Sequence, residues 1–354
     1  MVLLAKNFTL NNGQVVKNRL VLAPLTLWSS TEQGILKDEE ISFVAQRAQG
    51  AGLVITAGML IASEGKTFQG QPAVTQENFK QLQALAQAIQ AQGALGILQL
   101  QHGGEKALAP KWQIQNLTAA QIEELIEAFA QAAQLAEQAG FAGVEIMGGN
   151  GFLLQQFVSR KTNTRTDQWG EPFAFINQVV TRVKARINSP HFILGYRFSP
   201  EEPGDNGMTM QEALALVENL AHLPLQYLHV SLWDFFKPAR RGVAVPSLRI
   251  KLIHEQLQGR LPLIGVGNLI NLEAINKASQ SGYAEFFAFG KAAILNPDWV
   301  TKIYQQQELE QTLDLERKAY YGLPQGLWEQ CLTQASYLPA LKGEEPAVKL
   351  ASLY

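Results

Sequence analysis

The sequence feature that most limits the fold is a strict alternation of short apolar runs with longer helical patterns. Eight runs rich in Val, Ile, Leu and Phe are each followed by a segment with apolar residues at three- and four-residue spacing. The runs are almost continuously apolar, which is typical of strands buried on both faces, and the repeated β-then-α order requires parallel pairing through right-handed crossovers. The sequence therefore predicts an α/β protein built as a single (β/α)8 barrel, a TIM barrel.

This pattern places eight strands and eight helices on the chain. The predicted strands are Arg19–Leu25, Leu53–Leu60, Ala94–Gln101, Gly143–Met147, Phe192–Ser199, Gln226–Leu232, Leu261–Val266 and Ala284–Gly290. The predicted helices are Asp38–Gln49, Gln76–Gln92, Thr118–Gln138, Phe173–Ile187, Met210–His222, Ser247–Leu257, Leu272–Gln280 and Pro297–Gln307. We expect one domain over residues 1–354, with the barrel at about 15–308 and a C-terminal extension at about 309–354 that packs on its own barrel or on a neighbour's.

Composition excludes several classes of protein. Charged residues make up 17% of the chain, and 29 Lys and Arg stand against 31 Asp and Glu, so no basic field is present to attract nucleic acid. Cys331 is the single cysteine, which excludes an internal disulfide and a cysteine-ligated metal site within one chain, and no metal site is predicted. No stretch approaches the roughly 20 apolar residues of a membrane span, and no secretory leader is recognisable. We therefore expect a cytoplasmic protein without a membrane or nucleic-acid partner.

The long connections follow the strands, at the rim where barrel enzymes keep their active sites. The fourth strand opens into Gly148–Gly151, where the backbone can bend sharply and approach a ligand closely. The seventh strand ends in Gly267 and Asn268, and the eighth ends in Gly290 and Lys291. Backbone amides and an ammonium group at these two strand ends are suited to binding a phosphate.

Two strand residues are suited to a planar heterocycle. Gln99 can both donate and accept at an imide edge, and Arg197 lies on a buried strand, where a guanidinium needs negative charge nearby. That charge can come from a bound group or from a carboxylate of the protein, such as Glu145 or Glu201. The residues alone leave both interpretations open.

Over roughly residues 8–303 the sequence resembles the old yellow enzymes, NADH:flavin oxidoreductases that hold FMN in a TIM barrel. The motifs that carry the resemblance occur in the family's order: KNRLVLAPLT, QLQHGG, NGFLLQQFVSRKTNTRTDQWG, GYRFSPEE, IGVGN and FAFGKAAILNPDW. Each motif is modest by itself, but together on the predicted barrel they form a specific signal. The resemblance implies an oxidoreductase with FMN as its cofactor and NADH or NADPH as its reductant.

The resemblance also implies roles for particular positions. Thr26 would place its hydroxyl near the reactive edge of the flavin, Gln99 would bind the pyrimidine edge, and Arg197 would stabilise negative charge on the reduced ring. The set implied to bind the cofactor is Pro24, Leu25, Thr26, Gly58, Gln99, Arg197, Gly267, Asn268, Gly290 and Lys291. Lys291 stands where family members commonly have an arginine, so a point charge replaces a bidentate group at the phosphate.

The positions implied to contact the acceptor depart from the family's pattern. Members that reduce activated alkenes usually have His-x-x-His or His-x-x-Asn after the fourth strand, and here that pair is Met147 and Asn150. The tyrosine two residues further on, which protonates the substrate, is Phe152, and phenylalanine cannot donate a proton. The implied catalytic positions are Thr26, Asn150, Met147 and Phe152, and the implied pocket residues are Trp28, His102 and Trp233.

We therefore expect a small-molecule acceptor that needs no positioned acid, such as a quinone, a flavin, a dye or oxygen, and only weak reduction of activated alkenes. Tyr196, His229 and Lys237 could also replace the missing donors, although a structural role is more common for each. The alternatives are a flavin-binding sensor or scaffold with little turnover, and a phosphate-binding barrel lyase or isomerase. The resemblance leaves a homo-oligomer open, since family members occur in different assemblies.

Overall fold

The computed structural model describes residues 2–108 and 113–344, and within them the eight predicted strand–helix units are present. The strands of these units are β1 (Leu20–Leu22), β2 (Leu53–Leu60), β3 (Leu95–Gln101), β4 (Gly143–Gly148), β5 (Ile193–Phe198), β6 (Tyr227–Val230), β7 (Leu263–Val266) and β8 (Phe286–Phe289). Their helices are α1 (Asp38–Ala48), α2 (Phe79–Ala91), α3 (Ala119–Gln138), α4 (Ala174–Arg186), α5 (Met210–Ala221), α6 (Arg249–Leu257), α7 (Leu272–Ser281) and α8 (Trp299–Gln305). Shorter helices outside these units are Leu153–Val158, Lys291–Leu295, Lys318–Tyr321 and Gln325–Leu332. The predicted (β/α)8 architecture is thereby confirmed.

The sheet closes on itself as a parallel barrel. Each strand pairs with its neighbour in the chain, and β8 returns to β1 with Phe287 opposite Leu20. Apolar side chains such as Ile55 and Ile193 fill the amino-terminal half of the interior. An antiparallel hairpin near the N-terminus adds Val16 to this cluster, so the end of the barrel away from the long loops is packed and closed.

Local sequence signals set the helix ends. Thr118 accepts a hydrogen bond from the Gln121 backbone, while the Gln121 side chain accepts one from the Thr118 backbone, which is the reciprocal capping box. Gly140 follows α3 with a φ of +93°, a conformation that glycine adopts without strain. The apolar stripe of α3 is buried against the sheet, so the helix is held by packing as well as by its caps. None of the helices in the described ranges is both long enough and apolar enough to span a bilayer.

The described part of the C-terminal extension packs on the barrel of the same chain. The buried Arg47 of α1 donates to the backbone oxygens of Ala293 and Tyr321, and the Gly326 backbone donates to Ser29 after β1. These contacts bring residues 322–338 close to the loop that follows β1, at the carboxyl rim of the barrel. Residues 345–354 of the predicted extension lie outside the described residues.

Candidate active site

Polar side chains from three strands meet inside the barrel, one layer nearer the carboxyl rim than the apolar core. Glu145 of β4 accepts hydrogen bonds from Gln99 Nε2 of β3 at 2.7 Å and from the hydroxyl of Tyr227 of β6 at 3.0 Å. The Nδ1 atom of His229, also on β6, lies 3.0 Å from the same carboxylate. Gly195 makes room for this cluster, because a Cβ there would overlap the Tyr227 ring. Since β6 does not border β3 or β4, these contacts cross the barrel interior.

The charges in this layer are balanced. Burial raises the pKa of Glu145, but His229 and Arg197 lower it by more, so its pKa lies below the usual range and the group is a carboxylate. Burial lowers the pKa of His229 by more than Glu145 raises it, so the imidazole is neutral at neutral pH. Because a carboxylate only accepts, the His229 proton is on Nδ1. Burial also lowers the pKa of Arg197, yet a guanidinium keeps its charge in a protein, so one negative and one positive group remain.

Arg197 lies on β5 between the polar layer and the rim. Its Cα pairs in register with Met147 on one side and with His229 on the other, and its Nη2 donates to Ser231 Oγ at 3.0 Å. The Nε atom is buried and has no hydrogen-bond partner among the described residues. Glu201, the second carboxylate considered from the sequence, pairs with Arg249 at 2.6 Å instead. Arg197 is thus a charged donor inside the barrel with unused hydrogen-bonding capacity.

A hydrogen-bonded chain connects Arg197 to the loop after β4. Ser231 Oγ, which accepts from Arg197, donates to Asn150 Oδ1 at 2.9 Å. Ser199 Oγ accepts from the Asn150 backbone at 2.8 Å and lies 3.2 Å from the same Oδ1. Asn150 has a φ of +58°, which asparagine tolerates better than most residues. Because two hydroxyls occupy the Asn150 oxygen, its exposed amide nitrogen is left as a donor at the rim.

Met147 near the end of β4 and Phe152 in the loop after it are apolar at positions where the family's pattern has donors. Met147 is 2% exposed, and Phe152 is partly buried. The ammonium group of Lys106, from the loop after β3, donates to the Asn150 backbone oxygen at 2.7 Å and lies 5.6 Å from the centre of the Phe152 ring. Burial lowers the pKa of Lys106, while Glu202 raises it. Lys106 therefore brings a positive charge to this part of the rim.

The predicted phosphate-binding residues occupy adjacent strand ends. Gly267 has a φ of +126°, and a Cβ there would approach the backbone of Asp234 to 2.8 Å, so glycine is required. A Cβ on Gly290 would lie 3.5 Å from Leu25, which places the ends of β8 and β1 side by side. The ammonium group of Lys291 donates to the backbone oxygen of Ser336 in the C-terminal extension at 2.8 Å.

The turn after β1 supplies partly exposed side chains at Pro24, Leu25 and Thr26, followed by an aromatic cluster. Trp28 has a φ of +52°, and its ring lies 5.8 Å from that of Phe68 and 6.4 Å from that of Tyr337, measured between ring centres. Gly326 permits this arrangement, because a Cβ there would overlap the Trp28 backbone. The C-terminal extension thus contributes Tyr337 to the surroundings of Trp28.

The remaining predicted positions differ in how far they are enclosed. His102 is fully buried, its Nδ1 accepts from the Gly104 backbone at 3.1 Å, and burial lowers its pKa to about 4. Tyr196 faces the helices as part of the outer core, with its hydroxyl against Gly148. The space beside Gly58 is taken by the carboxamides of Gln101 and Gln99. Trp233 is partly exposed in the loop after β6.

A family model described as NADH:flavin oxidoreductase / NADH oxidase matches residues 4–310 of the chain. The chain belongs to this family. It is 36% identical over 360 residues to the probable NADH-dependent flavin oxidoreductase YqiG of Bacillus subtilis (strain 168), covering 94% of this chain and 96% of that protein. It is 31% identical over 363 residues to the NADH:fumarate oxidoreductase of Klebsiella pneumoniae (strain 342), covering 93% of this chain but 39% of that longer protein.

Solved structures agree on the fold of this flavin oxidoreductase. An old yellow enzyme homologue from Zymomonas mobilis matches with a TM-score of 0.74 at 21% identity, over 91% of this chain and 99% of that one. A morphinone reductase variant in complex with tetrahydroNAD matches with a TM-score of 0.75 at 23% identity, over 91% and 96% of the two chains. Membership of the family makes the protein an NAD(P)H-dependent oxidoreductase of old yellow enzyme type with FMN as its cofactor.

The residues present fit an FMN-type cofactor. The unpartnered Nε of Arg197 is a buried donor that a ring oxygen or nitrogen would satisfy, and the Gln99 oxygen accepts no hydrogen bond from the described residues. The glycine-containing ends of β7 and β8 lie beside the turn after β1, as a phosphate-bearing ligand requires. The donor set therefore matches a planar ring with an imide edge that carries a phosphate.

Part of this site is not predicted by the sequence analysis above. Glu145 is named there only as a partner for Arg197, although a carboxylate between two apolar neighbours on a buried strand already indicates a polar interior layer. Ser231 and Lys106 lie in loops whose path the sequence does not determine. Phe68 and Tyr337 meet Trp28 only through tertiary packing, so no local signal could have joined them.

Proposed function

We propose that the chain is one FMN-binding domain that passes electrons from NADH or NADPH to small acceptors requiring no positioned acid, with quinones foremost, and that it reduces activated alkenes only weakly. The observation that carries the proposal is the contrast at β4. Asn150 is held as a donor, whereas Met147 and Phe152 offer neither a second electrophilic donor nor an acid. A quinone gains two electrons and two protons when it is reduced. Water protonates the oxygens of a reduced quinone more readily than it protonates the α-carbon of a reduced alkene.

Bound FMN would supply the redox chemistry, namely hydride acceptance from the nicotinamide and transfer of two electrons to the acceptor. The residues of the protein would bind the cofactor and orient the acceptor. Arg197 offers a positive charge where negative charge would develop, and the chain through Ser231 fixes the Asn150 amide to point a donor at an acceptor oxygen. Thr26 supplies a partly exposed hydroxyl from the turn after β1.

The remaining cofactor contacts are proposed at strand ends. Gln99 would meet the imide edge, while Pro24 and Leu25 would border the ring and Gly58 would leave room for the Gln99 and Gln101 carboxamides beside it. Gly267, Asn268, Gly290 and Lys291 would hold the phosphate, and Lys291 would have to share its ammonium group with the Ser336 oxygen or release it. Trp28 and Trp233 would form pocket walls, and the enclosed His102 would support the pocket without contacting the acceptor.

The test is an acceptor profile of purified, FMN-loaded protein mixed anaerobically with NADH and then with NADPH. Bleaching of the flavin followed by rapid reoxidation with menadione, and slow reoxidation with cyclohexenone, is the expected result. Fast reduction of cyclohexenone would contradict the proposal, because it requires donors that Met147 and Phe152 do not provide. An oxidised spectrum that persists with both nicotinamides would favour a flavin-holding protein with little turnover.

A further inference from the structure

The Glu145 carboxylate is enclosed in the barrel and serves three donors at once. It is 0% exposed, and its contacts are Gln99 Nε2 at 2.7 Å, the Tyr227 hydroxyl at 3.0 Å and His229 Nδ1 at 3.0 Å. A carboxylate can only accept, so each partner must turn a hydrogen toward it. For Gln99 this decides which way the amide faces, since its NH2 group is engaged and its oxygen points elsewhere.

We propose that Glu145 is a positioning residue for the flavin, which fixes Gln99 with its carbonyl oxygen presented as an acceptor for the imide N–H and which offsets the charge of Arg197. The Gln99 oxygen is a free acceptor, because it lies beside Gly58 and accepts no hydrogen bond from the described residues. The proposal rests on FMN as the cofactor and on Gln99 at its pyrimidine edge, and it is independent of which acceptor the enzyme uses.

An amide in place of this carboxylate could not do the same work. Three donors converge on two oxygens that carry a full charge, whereas Glu145→Gln would supply one neutral oxygen and add an NH2 group. If the new oxygen faced Gln99, the new NH2 group would face Tyr227 and His229, and His229 would have to move its proton to Nε2, a buried atom without a hydrogen-bond partner among the described residues. The new oxygen is therefore expected to face Tyr227 and His229, and Gln99 must reverse its amide to accept from the NH2 group. A reversed Gln99 would present a donor to the imide N–H, which also donates, and the hydrogen bond would be lost.

The charge balance gives a second consequence. Arg197 is the positive partner of Glu145 in this layer, and His229 is neutral there. Removing the negative charge leaves Arg197 uncompensated, which favours added negative charge on a bound ring. Glu145→Gln should therefore raise the reduction potential of bound FMN, whereas structural damage that admits water would not raise it.

In the experiment, the protein is loaded with isotopically labelled FMN and the imide N–H is observed by NMR. The dissociation constant is measured from the quenching of FMN fluorescence. In the unmodified protein the imide proton should resonate downfield of free FMN and exchange slowly. In Glu145→Gln it should move back toward the free value, and the dissociation constant should rise by about tenfold, the effect of one buried hydrogen bond lost. The matched control is Tyr227→Phe, which removes one donor but keeps the charge and the Gln99 bond, and it should keep the downfield signal.

Three results would overturn the proposal. The first is an unshifted imide signal in the unmodified protein, because Gln99 would then not accept from the imide. The second is a downfield signal retained in Glu145→Gln, and the third is a lowered potential in that variant. If Glu145→Gln does not fold by itself, the double variant Glu145→Gln with Tyr227→Phe takes its place, because it removes one of the donors that compete for the single amide oxygen. The imide N–H signal is then measured in the double variant. If the unmodified protein binds no FMN at all, the cofactor assignment itself is wrong. If only the acceptor assignment is wrong, every one of these readouts stays unchanged.

Discussion

The interior layer around Glu145 and the loop after β4 differ in how they hold their polar groups. In the interior, Gln99, Glu145 and His229 belong to strands of the closed barrel, and each is at most 3% exposed. In the loop, Asn150 is exposed, has a positive φ and depends on two serine hydroxyls for its orientation. The interior is fixed by the sheet, while the loop is fixed by a few exchangeable contacts.

This difference separates the two halves of a flavin reaction. The groups that we propose to meet the cofactor come mainly from strands and strand ends and largely follow the family's pattern, whereas Met147 and Phe152, at positions that we propose to face the acceptor, depart from it. Met147 lies near the end of β4 and Phe152 lies in the loop after it, and a neutral side chain at either position leaves no buried charge unpaired. The cofactor half is expected to be intolerant of change, and the acceptor half is expected to be adjustable.

The largest expected effect comes from restoring the missing donors. Met147→His with Phe152→Tyr should raise cyclohexenone reduction by about 10²-fold or more, since a second electrophilic donor and a general acid are each commonly worth that much. Steady-state rates with cyclohexenone measure the gain. The rate of flavin reduction by NADH serves as the control and should change little, because Gln99, Glu145 and Arg197 keep their side chains. An unchanged cyclohexenone rate would show that these two positions do not limit alkene chemistry.

Arg197→Met tests the cofactor half of the site, whereas the preceding variant changes the acceptor half. Loss of a preorganised positive group should lower the reduction potential of bound FMN and slow its reduction by NADH by about 10²-fold. Stopped-flow absorbance and a redox titration measure both quantities. Arg249→Met is the matched control, because it removes a guanidinium that pairs with Glu201 instead. If both variants lower the potential equally, the effect is one of general destabilisation and not of the Arg197 charge.

The strands and helices could be predicted from sequence because the apolar periodicity of each unit is local. Inward-facing strand residues, such as Gln99 and Arg197, could be named for the same reason, since side chains alternate between the two faces of a strand. The orientation of the Gln99 amide could not be predicted, because it depends on Glu145 from a neighbouring strand. The contact of Tyr337 with Trp28 could not be predicted either, because it joins residues far apart in the chain through a loop conformation.

His102 tests where the interior ends. Burial lowers its pKa from 6.5 to about 4. Between these two pH values His102 is protonated in the unfolded chain but neutral in the folded chain. Above pH 6.5 this group does not lower the free energy of unfolding. On acidification the free energy of unfolding falls, by about 3 kcal/mol for a shift of this size. His102→Asn should flatten the pH dependence of the free energy of unfolding, measured with urea between pH 4 and 7. An unaltered pH dependence together with a changed KM for the acceptor would place His102 in the pocket instead.

The smallest expected effect tests the connection between the two regions. Ser231 receives a hydrogen bond from Arg197 and passes one to Asn150, so Ser231→Ala should release the Asn150 amide and lower kcat/KM for menadione by about tenfold, the value of roughly one hydrogen bond. Ser199→Ala is the matched control, because Ser199 also contacts Asn150 but is not bonded to Arg197. Only the Ser231 variant should also shift the reduction potential of bound FMN, since only it removes a partner of the guanidinium. Equal potentials in the two variants would mean that the loop and the interior act independently, and that the hydrogen-bonded chain serves only to hold Asn150 in place.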